Sequence, residues 1–215
     1  MGGKSRLLLT LALIASLALA VTPALAETLK VGVMGPFTGP SAKAGNEFKT
    51  SVEMVMEKIG GKVGDYELEV VWVDSQSDPA KATSAFAEAC ERKGIVAGAI
   101  NWHSSVAIAC MDLAAQYKVP WIFGMGAAQP VVTKWRENPE KYSYWSVKGW
   151  PVPGVLEAKG MSSFLEHIIS TGQWKPAAKK AAIFGEETDW GRDAGENLKK
   201  SLQASGWEIV SEDYF

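Results

Sequence analysis

GIVAGAINWHSSVAIAC, residues 94–110, decides how this chain folds. Ile95–Ile100 is a short run of small and branched apolar residues behind a glycine, which predicts a buried strand. A helical pattern begins at about Ser105 and runs to Tyr117. Between them stand Asn101, Trp102, His103, Ser104 and Ser105, an unusual group for a strand-to-helix junction. The start of a helix presents unpaired backbone N–H groups and a partial positive charge. Ser104 or Ser105 therefore reads in two ways: as a plain helix cap, or with those amides as a cradle for a small carboxylate. Trp102 would add a flat apolar wall and His103 a switchable donor. On these residues alone, capping and packing are the simpler account.

Outward from this junction the alternation continues. Thr28–Met34 is a strand ending in Gly35-Pro36, and Gly45–Ile59 carries Phe48, Val52, Val55, Met56 and Ile59 at helical spacing. Gly60-Gly61 stops that helix. Tyr66–Val73 is a second strand, and Asp78-Pro79 opens a helix to about Lys93, with Asp78 as cap and Pro79 in the first turn. Val119–Phe123 is a fourth strand. The order βαβαβαβ predicts a doubly wound parallel sheet with helices on both faces. Ligands on such sheets sit beyond the carboxyl ends of the strands. Four loops meet there: Gly35–Ala44, Asp74–Asp78, Asn101–Ser105 and Gly124–Pro130.

Val131–Pro153 is rich in Trp, Tyr and Pro and shows little periodicity. Alternation then resumes with helix Gly154–Thr171, strand Ala181–Phe184, helix Gly191–Ala204 and strand Trp207–Tyr214. A boundary near Val147 follows, giving a first domain over 27–146 and a second, small one over 147–215. Two strands and two helices are thin for a core of their own.

The first 26 residues stand apart. Lys4 and Arg6 precede an apolar run, Leu7 to Val21, and Ala24-Leu25-Ala26 gives a small-x-small exit. This is the pattern of a secretory signal peptide cleaved after Ala26. The apolar run is shorter than the roughly 20 residues a spanning helix needs. No cysteine lies near that exit, so a lipoprotein is not expected. Without Lys4 and Arg6 the formal charge of −2 becomes −4. A mildly acidic chain lacks the clustered Lys and Arg that nucleic acid requires. Cys90 and Cys110 fall in helical patterns and leave a disulfide or two buried thiols equally open. No metal or cofactor is expected, because the sequence holds no Cys-x-x-Cys and His103 and His167 are far apart. Gly124-x-Gly126 is too small a fragment for a dinucleotide fingerprint, and no nucleophile elbow or phosphate loop occurs.

The loop Gly124-Met125-Gly126-Ala127-Ala128-Gln129-Pro130 has little side-chain bulk, so its backbone can approach a ligand closely. With this loop, VGVMGPFTGPSAKAGNEF, VDSQSDPAKA, the Ser-Ser loop, VPWIFGMGAAQP and AAIFGEETDWGRDAGENLKKSLQASGWEIVSEDYF together resemble the substrate-binding proteins of branched-chain amino acid ABC importers. The likeness lies in the order of the segments rather than in any one motif. It implies a two-lobed type I periplasmic binding protein, with lobe one nearly complete and lobe two partial. Relatives run to about twice this length, so the expectation is a truncated chain that binds poorly by itself.

The resemblance also implies a site. The hydroxyl-bearing loop, His103–Ser105, and the small-residue loop, Gly126, Ala127 and Ala128, would hold the carboxylate and ammonium of an amino acid, and Trp190 would touch it from lobe two. Trp102 belongs to the same wall; Trp150 and Asp189 are further candidates, with Glu186 and Glu187 more ordinary solvated acids. Ala44 and Ala128 depart from the family's aromatic and hydroxyl positions. Of nine tryptophans, Trp72, Trp121 and Trp207 lie in strands and read as packing. The expected role is a non-enzymatic periplasmic component of an ABC importer. Its ligand would be a hydrophobic amino acid, an amide or an aromatic carboxylate, and its partners a permease and an ATPase. The alternative is a ligand-sensing domain of the same fold that feeds a receptor.

Overall fold

The computed structural model describes residues 26–122, 126–146 and 154–215. The signal segment, Phe123, the first residues of the small-residue loop, the boundary at Val147 and Trp150 lie outside the described residues.

The elements are β1 (Thr28–Gly35), α1 (Ala42–Lys58), β2 (Lys62–Val63), β3 (Tyr66–Asp74), α2 (Pro79–Glu88), β4 (Ala97–Ala99), α3 (Ser104–Tyr117), β5 (Trp121–Ile122), α4 (Gln129–Glu137), β6 (Trp145–Ser146), α5 (Gly154–Ser170), β7 (Lys180–Gly185), α6 (Asp189–Ala204) and β8 (Glu208–Tyr214). A six-stranded sheet runs in the order β2-β3-β1-β4-β5-β6, and a two-stranded sheet pairs β7 with β8. Every described pairing is parallel except β2 with β3. The β1–β3 register, Thr28↔Glu67 through Gly35↔Asp74, brings the carboxyl ends of both strands to one edge.

The parallel order and most elements match expectation; four details do not. β2 is a two-residue antiparallel edge strand, too short to carry periodicity, turned back by Gly64 at φ +58°. α4 and β6 lie in the stretch that reads as aperiodic, because nine residues with one buried position and a two-residue strand leave almost no pattern. β4 is only three residues long, while α2 reaches Lys93 as expected, its last turn, Ala89–Lys93, being π-helical and closed by Gly94 at φ +72°. The expected apolar face of α1 is only partly used: Val55 and Ile59 are exposed.

The core of the six-stranded unit is aromatic. Trp121 on β5 stacks on Trp145 of β6 with ring centroids 6.2 Å apart and meets Phe86 of α2 at 4.8 Å. Met34, Val73, Val106 and Met111 complete the interior. β4 must be thin here, since a Cβ on Gly98 would overlap the Trp121 ring. Asp78 caps α2 as expected, its Oδ1 accepting from the Lys81 amide at 2.9 Å. Cys90 and Cys110 are free thiols against this core, pushed up to about 11 and about 12 chiefly by burial. Desolvation at that level makes both poor nucleophiles.

In the smaller unit α5 packs on α6, and Ser162 and Ser201 share a 2.6 Å hydrogen bond there. Trp207 is buried under Trp174, ring centroids 5.9 Å apart. Phe184 of β7 and Val210 of β8 are exposed, so part of this sheet has no cover among the described residues.

Candidate functional site

The first wall of the site is built from three loops beyond β1, β3 and β4. Asp74, at the end of β3, ties two of them. Thr38 donates to it through N (3.2 Å) and Oγ1 (2.6 Å), and the Gln76 amide donates at 3.0 Å. Partial burial acts to raise the Asp74 pKa; these hydrogen bonds outweigh it and leave the carboxyl below its ordinary value. Gln76 and Ser77 both take positive φ, 50° and 60°, and the turn brings the Ser77 hydroxyl to accept from the Ser41 amide at 3.3 Å. α1 follows directly, seated close on β1 because Gly45 leaves no Cβ to strike the Pro36 carbonyl.

The third loop leaves β4 through Ile100, whose φ of 67° is rare for a branched residue. Two bonds hold it: its amide donates to the Ile122 carbonyl at 3.0 Å, and its carbonyl accepts from Trp121 Nε1 at 2.8 Å. Such strain persists where surroundings over-determine it, often beside binding sites. Asn101 is buried and donates from Nδ2 to the His103 carbonyl at 3.0 Å. Trp102 stands edge-on to Phe48 of α1, centroids 5.6 Å apart.

α3 begins one residue earlier than expected. His103, not a serine, is its N-cap, and it makes no side-chain capping bond. Ser104 is instead the first helical residue; it is buried, and its Oγ accepts from the Ala128 amide at 3.0 Å. The capping expectation is thus corrected: the hydroxyl ties two loops together. Ser105 is half-buried. His103 Nε2 lies 3.2 Å from Ser41 Oγ, while Nδ1 is buried with no hydrogen-bond partner among the described residues. Burial pushes the His103 pKa down, against a smaller pull upward from Glu186, so the ring is neutral at pH 7.

The second wall comes from the smaller unit. Thr188 caps α6, its Oγ1 accepting from the Gly191 amide at 3.1 Å and donating to Glu186 Oε1 at 2.8 Å. Arg192 pairs with Glu187. Asp189 and Trp190 form the first turn of α6. Glu157 of α5 approaches from the side; burial first, then nearby Asp193, raises its pKa.

Between the walls lies a cleft of about 890 Å³. Trp102, His103, Ser104 and Ser105 line one side, with Ser41 and Ser77. Glu157, Glu186, Glu187, Asp189, Trp190 and Phe215 line the other. Six sequence-selected residues therefore converge. Gly126, Ala127 and Ala128 do not line it: the two alanines are buried behind α3, and a Cβ on Gly126 would lie 2.8 Å from Ala107 Cβ. Sequence reasoning marked the loops of Ser41 and Ser77 but not these residues, and it missed Glu157 and Phe215, which no motif signals. One wall offers hydroxyls and the start of α3 to a carboxylate; the other offers carboxylates to a donor; indoles on both sides can shelter apolar bulk.

Comparison with known proteins places the chain among relatives of one family. The chain is 30% identical over 209 residues to Leu/Ile/Val-binding protein homolog 6 of Brucella abortus, covering 94% of this chain and 52% of that one. A solute-binding protein of an ABC transporter from R. palustris, solved with 4-hydroxybenzoate, superposes with a TM-score of 0.70 at 25% identity over 88% of this chain and 47% of that chain. A leucine-binding protein from Thermotoga maritima gives 0.68 at 20% identity, covering 87% and 49%. The chain thus spans about half the length of the relatives it matches. Residues 28–215 match the family model described as periplasmic binding protein, and the chain belongs to that family.

Proposed function

We propose that this chain is the extracytoplasmic solute-binding component of an ABC importer, exported by residues 1–26 and cleaved after Ala26. Its lobes are 27–146 and 147–215, and it captures a small solute rather than transforming one. The observation that carries this reading is the cleft, where Trp102, His103 and Ser105 face Asp189 and Trp190. A hydrophobic amino acid fits best: its carboxylate would meet the uncapped amides of α3 and the Ser105 hydroxyl, its ammonium the acids of the second wall, and its side chain the indoles. Energy for uptake would come from a membrane ATPase acting through a permease. The indole walls, with the 4-hydroxybenzoate carried by one structural relative, also favour an aromatic carboxylate as a second candidate.

NMR titration of the chain with leucine, phenylalanine, 4-hydroxybenzoate and urea tests this. Saturable shifts are expected at the Ser105 and Val106 amides and at the Trp102 and Trp190 indoles. Ser105→Ala should weaken binding about tenfold, the order expected for one lost hydrogen bond to a charged group. Shifts confined to residues outside the cleft would refute the assignment.

A further inference from the structure

We propose that Asp193 is a cross-unit positioning residue, a latch through which the smaller unit caps a helix of the larger one. α4 begins at Gln129 behind Ala128, whose methyl group supplies no capping oxygen. The amide at such a position is an orphan donor. Asp193 Oδ2, 64 residues further along the chain in α6, accepts from it at 3.0 Å. This carboxylate is held in place: Asn197 Nδ2 donates to Asp193 Oδ1 at 3.2 Å and to its carbonyl at 2.7 Å. Room for it is also provided, since a Cβ on Gly154 at the start of α5 would lie 2.7 Å from Asp193 Oδ2.

Two neighbouring amides therefore point to different units. Ala128 donates to Ser104 Oγ on α3, and Gln129 donates to Asp193 on α6. Ser104 belongs to one wall of the cleft, and Asp189 and Trp190, one helical turn before Asp193, belong to the other. The segment between the two bonds sets the spacing of the walls. A movement of α6 away from the six-stranded unit breaks the Gln129 bond while leaving the Ala128 bond intact. The consequence for solute capture rests on the function proposed above; the latch itself does not.

Amide hydrogen exchange of the whole chain, read by NMR without ligand, is the test. In Asp193→Ala the Gln129 amide should exchange about tenfold faster, with the Ala128 amide unchanged, as expected for loss of one cap rather than general loosening. Asp193→Asn keeps an accepting oxygen and should restore most of the protection. Gly154→Ala, which crowds the carboxylate without removing it, should act in the direction of Asp193→Ala, and it carries the comparison should the latter not fold. Unchanged exchange at Gln129, equal acceleration at Ala128 and Gln129, or no rescue by asparagine would each overturn the latch. Because no solute is involved, failure here leaves the cleft assignment standing, and a cleft that takes no solute leaves the latch standing.

Discussion

At the residue scale, the site depends on a few positions where shape or charge leaves no choice. Gly98 is one. The Trp121 ring occupies the space of its missing side chain, so Gly98→Ala must shift the largest side chain of the core. A loss of about 3 kcal/mol is expected from such overpacking, checked by denaturant unfolding. His103 is another. Its folded pKa lies below the unfolded value because burial disfavours the imidazolium. The unfolded chain therefore binds the proton first. The stability this group contributes is complete above the unfolded pKa near 6.5 and declines as pH falls below it toward the folded value. His103→Gln should remove that part of the slope between pH 7 and 5, measured by thermal unfolding across the range. The place of His103 at the strand-to-helix junction was legible in the sequence; its neutrality was not, because burial is a property of the packed loop.

At the scale of elements, α4 and the turn before β6 are fastened to α3 by Asp112. Lys134 Nζ and Lys141 Nζ each approach its carboxylate at 2.6 Å, and Tyr142 donates at 3.0 Å. Partial burial works to raise its pKa, but these partners outweigh it and hold the carboxyl at about 2. The linkage runs in the same direction as that of His103 but acts at lower pH. A carboxyl with a depressed folded pKa stabilises fully above its unfolded value near 3.9, and that contribution is lost as pH falls toward 2. Asp112 is 46% exposed, so solvent screening limits the effect to about 1 kcal/mol. Asp112→Asn should flatten the acid limb of the stability curve between pH 4 and 2. This cluster had no sequence signal: Asp112, Lys134 and Lys141 are far apart in the chain, and nothing in their spacing announces one site. By contrast α2, with Asp78 and Pro79 at its start, was readable almost to the residue, since its cap is local.

On the scale of the whole molecule, two units meet around one cleft. The six-stranded unit supplies neutral donors and a helix start, and the two-stranded unit supplies acids. Charge of one sign on one wall orients a zwitterion better than it holds a simple anion. Leucine is accordingly expected to outcompete 4-hydroxybenzoate in a competition titration. The exposed faces of Phe184 and Val210 show that the smaller sheet leaves apolar surface open among the described residues, where the larger sheet closes over Trp121 and Trp145.

Sequence alone determined the parallel alternation and the strand-to-helix junction at Asn101–Ser105, because strand pattern, helix pattern and local caps act over a few neighbouring residues, whereas Trp190 was named through the family resemblance. The sequence also placed the edge at which the cleft lies, since the carboxyl ends of parallel strands fall together once their order is known. Only the tertiary structure decided that Ser104 ties two loops instead of capping a helix, that Ala127 and Ala128 turn away from the cleft, and that Ser41, Glu157 and Phe215 turn toward it. Those outcomes follow from which hydrogen-bond donors meet which acceptors across distant loops. No local pattern encodes that choice; packing around Trp121 and the approach of α6 to α4 do.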